Sequence, residues 1–109
     1  MQKLNLFQNT GFASGGPVKT DLIVERSYKL VTVGVEAGVT IPPCIMNSEM
    51  IFYVVEGSGR INAGTETLPL AQGDIIVVPP RVSRSISAER RLSLLAVQIH
   101  DLSEEEEMR

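Results

Sequence analysis

Tryptophan is absent from this chain of 109 residues, cysteine and histidine occur once each, and aromatic side chains make up only 5%. One Cys excludes an intrachain disulfide, and one His excludes a polyhistidine metal site. With so few rings, the core has to be aliphatic. No apolar run approaches the roughly 20 residues of a membrane span. The N-terminus, MQKLNLFQNT, lacks the basic start and continuous apolar stretch of a secretory signal. The net charge of −3 carries no basic excess for a nucleic-acid surface. A soluble, cytoplasmic protein is expected, with neither nucleic acid nor membrane as a partner.

What remains is 43% hydrophobic, enough for one modest core and too much for a disordered chain. Glu104 to Glu107 supply four of the thirteen acids, leaving ten basic against nine acidic groups elsewhere. The body is therefore nearly neutral, and residues 102–109 read as a solvated acidic tail. Ser103 before four Glu could cap a single exposed helical turn. Residues 1–20 read as an N-terminal arm, or edge strand, followed by a loop. They hold Leu4, Leu6 and Phe7, then the breaker-rich stretch from Gly11 to Pro17.

From Asp21 onward, short β-prone runs alternate with turn residues. The runs are Leu22–Val24, Leu30–Val35, Ile51–Val55, Ile75–Val78 and Leu92–Ile99. Gly38, Pro42-Pro43, Gly57-Ser58-Gly59, Gly64, Gly73-Asp74 and Pro79-Pro80 stand between them. That spacing predicts an all-β antiparallel sandwich or barrel over residues 21–101, as one domain. Val31, Val33, Phe52, Val54, Ile76, Val78, Leu94 and Ala96 are the expected core.

One set of spacings is more specific. Gly38 is followed by five residues, then Cys44, one residue, Met46, three residues, Met50, six residues and Gly57. Fifteen residues later come Gly73, five residues, Pro79, four residues and Arg84. This resembles the two conserved-barrel motifs of the cupin superfamily, G(X)5HXH(X)3-4E(X)6G and G(X)5PXG(X)2H(X)3N, over about Leu30 to Ile99. The resemblance implies a double-stranded β-helix, or jelly-roll barrel, and a homodimer of the kind many small cupins form. It also implies that the positions of the usual metal ligands are Cys44, Met46, Met50 and Arg84. None keeps an imidazole or a carboxylate, Arg81 stands where the motif has Gly, and Ala88 where it has Asn. The expectation is a small cupin with no metal and no cofactor.

Cys44 and Met46 are two apart, so on a strand they share a face. Pocket candidates are Cys44, Met46, Met50, Phe52 and Arg84. Soft apolar groups filling a former ligand cavity is the plain reading of the first three. A thiolate and thioether set for a soft ion such as Cu(I) is the sharper one, opposed by the fixed cation at Arg84. Glu49 precedes Met50 and so belongs to the opposite face. His100 could serve as a base beside Tyr28 or Tyr53 in a metal-independent isomerase, epimerase or lyase, but it falls outside both motifs. Arg90 and Arg91 read as solvated turn residues. Arg84 either enters the barrel, where it would hold a small organic anion, or runs along the lip with its head in water. The functional expectation is a metal-free cupin that binds a small organic, anionic ligand.

Overall fold

The computed structural model describes residues 1–100, so the acidic segment 102–109 and the turn expected near Ser103 lie outside the described residues. One 3-10 turn, Phe7–Asn9, precedes nine strands. They are β1 (Val18–Val24), β2 (Tyr28–Val35), β3 (Thr40–Cys44), β4 (Glu49–Glu56), β5 (Ser58–Ala63), β6 (Glu66–Ala71), β7 (Ile75–Val78), β8 (Arg84–Ala88) and β9 (Leu92–Ile99). Two sheets face each other, a five-stranded one in the order β1-β2-β9-β4-β7 and a four-stranded one in the order β3-β8-β5-β6. Every named pairing is antiparallel. This is the expected all-β jelly-roll barrel. No helix among the described residues is long and apolar enough to cross a membrane.

Alternation builds the core. Met50, Phe52 and Val54 of β4 point inward, as do Leu92, Leu94 and Ala96 of β9 and Val33 and Val35 of β2. From the opposite sheet come Ile61, Leu70, Ile86 and Ala88. Each fully buried Leu, Ile, Val or Phe contributes roughly 1.5–3 kcal/mol, and no ring larger than Phe52 is involved. Val31 and Ile76, expected in the core, pack against it while only partly buried.

Four strands had no clear signal in the sequence. β3 passes through Pro42-Pro43, which read as a turn, and β6 contains Pro69. Both are edge strands of the four-stranded sheet, where a missing N–H costs little, and the β3–β8 register shifts between Ile41 and Cys44.

The arm is not a strand. Residues 9–12 lie on the outer face of the chain's own β2. The Thr32 hydroxyl donates to the Asn9 carbonyl at 2.7 Å. The Gly11 carbonyl packs so closely on Gly34 that a Cβ there would collide with it. Arg91, expected to be solvated, fastens this region. Its guanidinium sits 4.6 Å above the Phe12 ring and donates to the Glu36 carboxylate from Nε at 3.2 Å and Nη2 at 2.8 Å. A bidentate geometry on a fixed ring explains why this turn cation is not merely hydrated.

The Arg91 hydrogen bonds, helped by the Ala37 N–H, hold the Glu36 carboxyl below its ordinary 4.5. A depressed carboxyl stabilises the fold above its unfolded value, and that contribution is lost as pH falls through the folded value. NMR titration should therefore place the Glu36 midpoint low, and Arg91→Leu should return it to the ordinary range. An unchanged midpoint in that variant would show that the clamp does not form.

Candidate functional site

The mouth of the barrel opens between the two sheets into a cavity of about 140 Å³. Cys44, Met46, Met50, Phe52 and Arg84 all line it, so one site collects the five candidates. The local reasons differ. Met50 and Phe52 are inward positions of β4, opposite Gln98 and Ala96 of β9. Cys44 ends β3 directly across the ladder from Arg84, the first residue of β8. Met46 follows in the β3–β4 loop, whose carbonyl at that residue accepts the Arg81 N–H at 2.7 Å.

Arg81 holds φ at +66°, the left-handed region in which glycine is at ease. The turn after β7 thus keeps the backbone that the motif's Gly would supply, and Arg84 arrives where a motif His would stand.

Arg84 settles the choice left by the sequence. Its guanidinium carbon lies 5.3 Å from the centroid of the Phe52 ring, and Phe52 is buried. Nη1 is shut off from solvent and has no hydrogen-bond partner in the protein. The head is drawn inward over the ring rather than extended into water. Glu49 is paired across the ladder with Ile99 on the outward parity and is not part of the cavity wall, so it offers Arg84 no partner there.

Three charged wall residues were not foreseen. Lys19 and Asp21 reach the cavity from β1, and Lys29 from β2. Lys29 pairs with Asp21 at 3.3 Å. The five-stranded sheet therefore presents Lys19, Lys29 and Asp21 to the same space that Arg84 enters from the four-stranded sheet. Three cations against one carboxylate leave an excess of two positive charges. Lys19 and Asp21 share a parity in β1, but parity alone does not say which face they take, and both positions are exposed. Gln98 completes the polar set and donates to the Ser48 hydroxyl at 3.1 Å.

His100 lies elsewhere. Its N–H donates to the Ser27 carbonyl at 2.9 Å and Nδ1 lies 2.9 Å from the Arg26 carbonyl oxygen, which ties it to the β1–β2 turn. Tyr28 and Tyr53 are 39% and 40% exposed on outward positions. Neither they nor His100 line the cavity, so the acid and base considered for an isomerase, epimerase or lyase do not converge there.

A metal of the imidazole and carboxylate kind does not fit. The four positions hold a thiol, two thioethers and a guanidinium, and among the described residues no three His, Cys, Asp or Glu side chains gather. A cation placed among them would also face the Arg84 guanidinium.

No protein-family model and no curated protein matches the sequence. Solved structures do. An RmlC-like cupin protein from Desulfovibrio desulfuricans is 22% identical with a TM-score of 0.82, over 91% of this chain and 96% of that one. An uncharacterised conserved protein with a double-stranded β-helix domain from Klebsiella pneumoniae is 14% identical with a TM-score of 0.85, over 91% of this chain and 90% of that one. A salicylate 1,2-dioxygenase variant from Pseudoaminobacter salicylatoxidans is 22% identical with a TM-score of 0.78, over 88% of this chain but 30% of that one. At these identities the likeness establishes the fold and nothing finer.

Proposed function

Since the chain has the double-stranded β-helix fold of the cupins, we propose that its barrel is a metal-independent binding site for a small organic anion. The observation that carries this reading is the Arg84 guanidinium, drawn over Phe52 with Nη1 buried and unpartnered by protein. A buried cation is costly unless something satisfies it, and a carboxylate or phosphate oxygen meets the guanidinium fork well. Met46, Met50 and Phe52 would cover the apolar part of the ligand. A cavity of about 140 Å³ is close to the engineered ~150 Å³ cavity that accepts benzene, so the enclosed part is about one ring in size.

The test is a thermal-shift screen of small carboxylic and phosphoric acids on the wild type and Arg84→Met. At least one acid should stabilise the wild type by several degrees and leave the variant unmoved. Equal shifts in both proteins would sink the reading.

A homodimer is proposed as well. Ile75, Val77 and Tyr53 are 64%, 55% and 40% exposed on the outer face of β7 and β4, beside Ile51, Leu95 and Val97. With Glu49 alone as a charge at its margin, so apolar a face matches best another like itself, and a two-fold axis brings two copies of it together. Leu4 and Phe7 of the arm remain exposed and would extend the contact. Light scattering at micromolar concentration should give twice the chain mass. Val77→Glu should give the monomer, and a wild-type monomer would refute the pairing.

A further inference from the structure

Cations reach the cavity from both sheets, and this sharpens the anion reading on which the following inference rests. Arg84 enters from β8 of the four-stranded sheet, with its head over the buried Phe52 and Nη1 shut off from solvent. Lys19 stands on β1, the edge of the opposing five-stranded sheet, and Lys29 on β2 beside it. Lys29 is partly neutralised by Asp21 at 3.3 Å. Lys19 has no ion pair among the described residues, and its position is exposed at the lip. The same wall carries the apolar Val31, Met46 and Met50.

A monoanion seated on Arg84 would leave one net positive charge in the wall. We infer that the physiological ligand is a small dianion carrying two acidic groups separated by a short apolar spacer. One group sits on Arg84 inside the barrel and the other on Lys19 at the mouth. The inner contact is desolvated and fixes the ligand. The outer one is wet, works through a flexible ammonium, and is weakened by salt. A diacid therefore gains over a monoacid of equal size by the outer contact, and that gain is sensitive to ionic strength.

The experiment is isothermal titration of the full chain with terephthalate and 4-methylbenzoate, which share a ring and a length but differ by one charge. Adipate and hexanoate form the flexible pair. At low salt the diacid of at least one pair should bind about tenfold more tightly, and higher salt should narrow that ratio. Lys19→Met should bring the diacid down to the affinity of its monoacid, while Arg84→Met should abolish binding of both. If monoacid and diacid bind equally in both pairs and still require Arg84, the dianion inference is overturned and the anion reading stands. If a diacid preference survives Lys19→Met, the inference is overturned too. If no acid binds, or binding ignores Arg84→Met, the anion reading fails and takes the inference with it.

Discussion

Arg84→Met should raise the melting temperature of the ligand-free protein while destroying its ability to bind anions. The guanidinium holds a buried nitrogen with no partner in the protein, a condition that costs on the order of 1–3 kcal/mol. Its attraction to the Phe52 ring returns about 0.5–1 kcal/mol. Methionine has similar reach, no polar group to desolvate, and can pack on the same ring. The net gain should be about 1 kcal/mol, or ~4–8 °C for a domain near this size. Differential scanning calorimetry without added acid gives the value. A lower melting temperature would mean that Arg84 is a structural pin, with its charge already satisfied. Stability given up at one residue for a task is a familiar trade in binding sites.

The second large effect lies in the scaffold. Gly57 is the single residue between β4 and β5, where the chain leaves the five-stranded sheet for the four-stranded one. Its φ is +97°, and a Cβ there would run into the Arg91 carbonyl oxygen and the Leu92 backbone. Conformational strain alone costs roughly 1–3 kcal/mol, and a backbone collision adds to it because neither strand can retreat from the core. Gly57→Ala should lose about 3–5 kcal/mol of the 5–15 kcal/mol typical of a domain. Urea denaturation measures this. A loss under 1 kcal/mol would show that the crossing is not tightly held.

Much of this was legible because glycine spacing is a backbone requirement. Gly38, Gly57 and Gly73 all have positive φ, so the motif that pointed to the barrel survives although its four ligand positions hold Cys44, Met46, Met50 and Arg84. Strand parity likewise placed Met50 and Phe52 inside and Glu49 outside. The edge strand β3 was hidden because Pro42-Pro43 look like a turn, and only the sheet order shows that a missing donor is harmless there. Lys19 and Lys29 were missed for another reason. They join the site through pairing of β1 with β2 and of β2 with β9, a long-range arrangement that no local pattern announces. The Arg91 clamp on Glu36 and Phe12 joins residues far apart in sequence in the same way.

On the proposed function, Arg84 holds an organic anion at a position where the motif has a metal ligand. Native mass spectrometry combined with elemental analysis, on protein purified gently at low salt, tests it most directly. The account predicts an organic adduct of small mass on the wild type, absent from Arg84→Met, with Mn, Fe, Ni, Cu and Zn well below one per chain in both. One metal per chain that survives Arg84→Met and disappears when Cys44 or Met46 is replaced would contradict it.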